Sequence, residues 1–286
     1  MSGSLIDVRS RIASTKKTSQ ITKAMYMVSS SKVKRSQQVY LNYQDFLSRI
    51  KKLVATTLKN VGDDFSYPML EEREVKTTAY LLISSDTGLA GPYNTNVFKH
   101  FEQLVSIDKG NYVVWTIGRK AFSYVKGKKH PLVNQAPKLV RDDVMYVDIV
   151  PIAKEFVQAY LKGEIDKLVI VYNHFVNSLT IEVTSETLLP ISEIKVEDED
   201  KNEYLFEGGI LNIVEEIMPM YIQAVVYGII LDAKISEHSS RMNSMKNATD
   251  NAEEVIDKLQ ILYNRARQSA ITTELIDIIA GANAVE

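Results

Sequence analysis

The chain has 286 residues, 45% of them hydrophobic and 24% charged, enough to bury a core in one large or two ordinary domains. It has no cysteine, which excludes disulfides, thiolate metal sites and cysteine catalysis and favours a reducing interior. The net charge of −2 hides an asymmetry: residues 1–60 hold twelve Lys and Arg against Asp7 and Asp45, for +10, whereas residues 232–286 hold six basic and nine acidic residues, for −3. The two ends therefore attract each other, and most of the positive charge must face something else. No run approaches the ~18 consecutive apolar residues of a membrane span. The opening MSGSLIDVRSR lacks the apolar core of a secretory signal, and its Asp7 and early heptads disfavour a transit peptide.

From Gly3 to Gly62 there is no glycine or proline. A seam runs through Leu5, Val8, Ile12, Thr15, Ser19, Thr22, Tyr26, Ser29, Val33, Ser36, Tyr40, Tyr43, Leu47 and Ile50, with gaps alternating three and four. Between Thr15 and Ser36 that seam is small and polar, which lets two helices approach closely with little apolar burial.

Around Gly62 the pattern breaks, and GDDFSYPMLEEREVK reads as a connecting loop. TTAYLLIS (77–84) is a buried strand, DTGLAGPYN (86–94) a turn, and Asn94 the expected cap of a helix reaching about Val105. NYVVWTIG is a second strand, RKAFSYVK a short helix, VDIVPIAKEFVQAYLKG a longer helix and KLVIVYNHFV a third strand. SLTIEVTSETLLP (178–190) alternates like a half-exposed strand. The order predicts a small α/β domain with a mostly parallel sheet. EDEDKNEYLFEGG reads as a charged loop, and a last helix begins near Ile210, with Pro219 in its early turns kinking rather than ending it. Its expected seam is Val255, Leu259, Leu262, Ala266, Ser269, Thr273, Ile276 and Ala280.

The expected fold class is α/β plus long helices, with an antiparallel two-helix coiled coil from the N- and C-termini and an inserted α/β domain. The divisions are 1–60 for the first helix, 61–207 for the domain and 208–286 for the last helix. At ~1.5 Å per residue, a helix from Ile210 to Ala284 reaches roughly 110 Å, against about 80 Å for its partner. About the last 20 residues are thus expected to project alone beyond Leu5. After Asp277 no charge follows until Glu286, and IIAGANAV is apolar or small, a surface suited to a surrounding ring of protein.

No catalytic constellation stands out. Asp86-Thr87-Gly88-Leu89-Ala90-Gly91 follows a strand, but it matches neither G-x-G-x-x-G nor G-x-x-x-x-G-K-[ST] and reads as a structural turn. His100, His130, His174 and His238 are dispersed without metal-ligand spacing, and Ser84-Ser85-Asp86 lacks a nearby base. The basic residues Arg9, Arg11, Lys16, Lys17, Lys23, Lys32, Lys34 and Arg35 point first to an acidic protein surface. With only Tyr26 among them as an aromatic, stacking on single-stranded nucleic acid is disfavoured, leaving a basic coiled-coil nucleic-acid binder or a solvated face as alternatives.

The motifs at both ends carry a resemblance. Val8-Arg9-Ser10-Arg11-Ile12-Ala13-Ser14 and Ile21-Thr22-Lys23-Ala24-Met25-Tyr26-Met27 in the first helix look like those of the gamma subunits of F-type ATP synthases, the central rotor stalk. So do Ser236-Glu237-His238, Arg241-Met242, Met245-Lys246-Asn247-Ala248-Thr249-Asp250-Asn251-Ala252, and Tyr263-Asn264 through Arg267-Gln268 to Ala270-Ile271-Thr272. The resemblance implies a coiled coil inside a hexamer of alternating alpha and beta subunits, with a Rossmann-like foot on epsilon and the membrane c-ring. It implies no catalytic residue and no bound cofactor or metal on this chain, with ATP or ADP and Mg held by beta. It implies head contacts at Lys23, Met25, Arg241, Arg267, Gln268 and Thr272. The family's middle motif, S-D-R-G-L-C/A-G-x-x-N, stands here as Ser85-Asp86-Thr87-Gly88-Leu89-Ala90-Gly91-Pro92-Tyr93-Asn94, with Thr87 in place of arginine. That departure in the foot turn (Asp86, Thr87, Gly88, Gly91) leaves open a specialised paralogue whose foot drives another machine. The resemblance otherwise implies a rotor shaft coupling ATP synthesis or hydrolysis to proton translocation. Its place is peripheral, on the cytoplasmic face of a bacterial membrane, with no nucleic acid and membrane contact only through the ring.

Overall fold

A computed structural model describes residues 2–60, 66–108, 110–191, 194 and 210–283. The break at Gly62, the charged loop at 197–209 and the helix end at Ala284 lie outside the described residues. In chain order the elements are α1 (Ser2–Lys59), β1 (Thr77–Ile83), α2 (Tyr93–Ile107), β2 (Asn111–Ile117), α3 (Arg119–Lys128), α4 (Tyr146–Leu161), β3 (Lys167–Phe175), β4 (Ile181–Leu189) and α5 (Ile210–Asn283). They form two compact units, one of Met1–Ser30 with Arg241–Glu286 and one of Ser31–Ser240.

The second unit is built on a four-stranded sheet in the order β2-β1-β3-β4. β1 pairs in parallel with β2 and β3, so Leu81 stands opposite both Trp115 and Ile170. β4 runs antiparallel to β3 because a five-residue turn joins them, in which the Asn177 side-chain oxygen accepts the N–H groups of Leu179 and Thr180. The β1 residues separate by parity. Tyr80 and Leu82 join Val97, Phe101, Ala121 and Val125 of α2 and α3 on one face. Ala79, Leu81 and Ile83 join Trp115, Phe156, Tyr160 and the buried side of α5 on the other. Covering both faces is what a mostly parallel sheet of apolar strands requires. β4, with a half-exposed pattern, closes one edge.

Asn94 does not cap α2. The helix starts a residue earlier behind Pro92, and Asn94, in its first turn, accepts the Ser85 N–H at 3.0 Å and pairs with the Ser85 hydroxyl. The proline's fixed φ and the tight turn before it start the helix, which frees Asn94 to bind back to the end of β1. α5 continues unbroken through Pro219. From Tyr221 to Ser240 every residue but Val225 is buried, so this part of α5 is enclosed on all sides. By length and composition alone α5 contains a window apolar enough to cross a membrane, but 67% of that window is buried inside the protein, and core packing accounts for it.

Within this unit α1 lies antiparallel to α5. Tyr43 donates its hydroxyl to the Ala224 carbonyl at 2.9 Å and meets the Tyr227 ring edge-on at 4.7 Å. Tyr40, one turn earlier on α1, lies near Asp232, further along α5; burial first and then that carboxylate's charge raise its phenol pKa. Gly228 permits the approach, since a Cβ there would stand 3.1 Å from Leu47 Cδ2.

Candidate functional site

The first unit pairs the start of α1 with the last part of α5. All fourteen expected α1 seam residues, from Leu5 to Ile50 across both units, are buried or half-buried. Small residues do this around Thr22: Ser19, Thr22 and Ser29 are buried, and Thr249 donates its hydroxyl to the Met245 carbonyl at 2.8 Å while lying 2.8 Å from the Thr22 hydroxyl. A threonine pair of this kind fixes register, because each polar group needs its partner once water is excluded.

The α5 seam differs from expectation. The covered stripe runs Met245, Thr249, Ala252, Ile256, Leu259, Tyr263, Ala266, Ala270 and Thr273. Val255, Leu262, Ser269, Ile276 and Ala280 lie on exposed faces instead. The period was right and the phase was displaced by one residue at several steps. Val255-Ile256, Leu262-Tyr263 and Ser269-Ala270 are adjacent apolar or small pairs, so either member satisfies a heptad. The register set by Thr22 and Thr249 selects the second.

That register also locates the end of the pairing. Ser2 precedes Thr22 by twenty residues, and twenty residues beyond Thr249 is Ser269. The described α5 continues for fourteen more, from Ala270 to Asn283. There Ile271, Leu275, Ile276, Ile278 and Ile279 are all exposed, Leu275 at 55% and Ile279 at 60%. The last charge of that stretch is Asp277. In this unit α1 contributes five basic residues against Asp7, and residues 241–283 of α5 contribute five basic against six acidic, a balance of +3. The ion pairs Arg11–Asp7 (3.3 Å) and Lys258–Glu254 (2.5 Å) are local, one turn apart on a single helix. The lysine hydrogen bond, followed by its charge, holds the Glu254 carboxyl below the ordinary range.

The expected contact residues fall into two groups. Lys23 is exposed and Met25 half-buried near the Thr22–Thr249 level. Arg267, Gln268 and Thr272 are exposed where α1 ends, about 30 Å along at ~1.5 Å per residue, with the Thr272 hydroxyl bonded to the Gln268 carbonyl at 3.0 Å. Arg241 belongs to neither exposed group, being only 9% exposed.

The turn after β1 is built into the domain. Asp86 accepts the Arg119 N–H at 2.9 Å, satisfying the start of α3, and the Ser85 hydroxyl donates to the Thr87 carbonyl at 2.6 Å. Gly91 takes a φ of 53°, Leu89 one of 62°, and Gly88 lies in open space. Ser84 uses its hydroxyl to accept the Ala121 N–H. Of the histidines, His100 lies 3.1 Å from the Ser185 hydroxyl. His130 lies between Tyr112 and Glu102, at 3.0 and 3.1 Å.

Sequence reasoning passed over the buried polar residues of α5. Asp232 accepts the Phe175 N–H at 2.9 Å and meets His174 at 2.5 Å; burial raises its pKa against the opposing effect of that histidine. Asp142, before α4, meets Lys32 of α1 at 2.6 Å, His238 at 3.2 Å and Lys234 at 3.7 Å. Partial burial works against its charge, but Lys32, His238 and Lys234 prevail and hold the carboxyl below its ordinary value. The available signal was the run Asp232 to Ser240, too polar for a free-standing apolar seam inside an otherwise apolar stretch.

The family profile described as ATP synthase matches residues 4–285. The ATP synthase gamma chain of Macrococcus caseolyticus (strain JCSC5402) is 42% identical over 288 residues, covering 99% of each chain. This chain belongs to the ATP synthase gamma family. The fold agrees with solved members of such assemblies. A chain of the Euglena gracilis mitochondrial ATP synthase superposes with a TM-score of 0.69 at 17% identity, covering 100% of this chain and 95% of that one. A chain of the Tetrahymena thermophila mitochondrial ATP synthase central stalk and c-ring gives 0.60 at 24% identity, covering 80% and 99%. For a gamma-family chain, the small-residue seam and the exposed end of α5 are the features that bear on partners.

Proposed function

We propose that this chain is the central rotor shaft of an F-type ATP synthase, turning within a hexamer of alpha and beta subunits and coupling ATP synthesis or hydrolysis to proton translocation by a membrane ring. The end of α5 carries this reading. Beyond Ser269 it leaves α1 behind and presents Ile271, Leu275, Ile278 and Ile279 to the outside on a stretch whose charges are Glu274 and Asp277. An exposed apolar surface of that kind marks a site of protein–protein contact, and on a lone helix it suits a surrounding sleeve. Lys23 and Met25 lower on the shaft, and Arg267, Gln268 and Thr272 above, are the residues that meet the head. Arg241, 9% exposed, is the remaining residue of the proposed head contacts.

In this reading the chain supplies no catalytic group and holds no cofactor; ATP, ADP and Mg are bound by beta. Rotation biases each beta subunit in turn because the shaft makes different contacts with each of its states. The α/β domain with its turn at Asp86, Thr87, Gly88 and Gly91 is the foot, facing epsilon and the c-ring. The complex is peripheral, on the cytoplasmic face of a bacterial membrane. Single-molecule rotation of an alpha–beta complex carrying this chain tests the proposal. ATP-driven stepping is expected with the whole chain and is expected to lose torque when residues 270–286 are removed. ATP hydrolysis with unchanged rotation-linked kinetics in the absence of this chain would refute it.

A further inference from the structure

In a parallel α/β sheet, the space outside the carboxyl ends of the strands is where ligands usually bind. Here a segment of α5 fills that space. β1 ends at Ile83 and β3 at Phe175, and the loops that follow them close on residues 232–240 of α5. The contacts are polar and directional. The turn after β1 reaches α5 twice: Tyr93 donates to the Ala233 carbonyl at 2.9 Å, and the Ala90 carbonyl accepts the Ser240 hydroxyl at 2.6 Å. The end of β3 and its turn reach it through Phe175 N–H and His174 on Asp232, and through the Ser178 carbonyl on the Ser239 hydroxyl at 2.9 Å. The loop before α4 reaches it through Asp142, which lies against Lys234 and His238 and ties Lys32 of α1 to the same point.

At ~100° per residue, positions 232, 233, 234, 238, 239 and 240 distribute these bonds around most of the helix circumference. Close apolar packing resists rotation of a helix about its own axis, and directional polar bonds add to that resistance. Hydrogen bonds and ion pairs made from several directions to a buried helix do not exchange without leaving polar groups unsatisfied.

We infer that this polar collar around residues 232–240 is the grip by which torque passes between α5 and the α/β domain, with Asp142, Ser239 and Ser240 as positioning residues. The inference rests on the rotor reading above and deepens it.

The test uses the full complex with its membrane ring, in vesicles, and reads proton pumping per ATP hydrolysed. The wild-type chain must first support ATP-driven pumping; if it does not, the rotor reading itself fails. With that control in place, Asp142→Asn combined with Ser240→Ala is expected to lower pumping per ATP at least twofold in assembled complexes, with ATP hydrolysis retained. Asp142→Glu is expected to recover most of the ratio, a rescue that a general loss of stability would not give. Asp142→Asn alone, at a half-exposed side chain, serves as the readout should the double variant assemble poorly. An unchanged ratio in assembled Asp142→Asn complexes overturns the inference.

Discussion

Gly228→Val tests the packing on which the pairing of α1 and α5 depends. A Cβ at this position would stand 3.1 Å from Leu47 Cδ2 and 3.5 Å from Tyr43 Cε1. Alanine adds only that carbon. Its contact with the far end of a leucine relaxes by a few tenths of an ångström, and replacing an in-helix glycine returns ~1 kcal/mol of helix propensity. Gly228→Ala is therefore expected to be neutral to slightly stabilising. Valine adds two γ carbons beyond a Cβ already at contact, on a helix buried all round. Overpacking of this kind costs roughly 1–3 kcal/mol, and the Tyr43 hydrogen bond to Ala224 is strained with it. For a unit of this size about 2 kcal/mol corresponds to a fall of roughly 4–8 °C in the melting temperature. Thermal unfolding of the two variants followed by circular dichroism reads the difference. A valine variant that melts with wild type would mean the two helices do not approach at Gly228, and the close packing described above would be wrong.

Other perturbations separate the core from the surfaces. Phe156→Ala, which removes a fully buried ring packed edge-on to Trp115 at 5.8 Å, is expected to cost about 3–5 kcal/mol in denaturant unfolding. Asp166 accepts the N–H groups of Lys76 and Thr77 at 3.0 and 2.9 Å and pairs with Arg73 at 2.9 Å. Burial opposes its charge, but these partners win and depress its pKa below 3.8. With the folded value depressed, its stabilisation is present above the unfolded value near 3.8 and lost as pH falls through the lower folded one. Asp166→Asn is thus expected to cost roughly 1–3 kcal/mol at pH 7, with the difference from wild type shrinking as pH falls below 3.8, measured by urea titrations across that range. Leu275→Ser with Ile279→Ser, at exposed positions, is expected to change the melting of the isolated chain by less than about 0.5 kcal/mol. The same pair is expected to weaken torque in the assembled motor; a loss of stability without a loss of torque would assign the end of α5 a folding role instead.

Much of this architecture is local and therefore legible in the chain. The α1 seam from Leu5 to Ile50 stands out because its gaps alternate three and four without a break, which keeps its members on one face of a helix. The strands at Thr77, Asn111 and Lys167 announce themselves as short apolar runs between polar breaks, and their order dictates a parallel sheet with helices on its faces. The absence of cysteine and the +10 charge of the first sixty residues are likewise properties of composition alone.

What tertiary structure decided are the choices between neighbours that local patterns treat as equal. Ile256 rather than Val255, and Tyr263 rather than Leu262, face α1, because the Thr22–Thr249 pair sets the rotation of one helix on the other. Asn94 binds back to Ser85 instead of capping α2, because Pro92 already starts that helix. Above all, residues 232–240, which sequence reasoning passed over, prove to be interior. Burial of a polar side chain depends on partners at Ala90, Asp142, Phe175 and Ser178, which lie 57 to 150 residues away along most of these contacts. No window of sequence contains both members of such a bond, so the grip on α5 exists only once the sheet has brought its loops together.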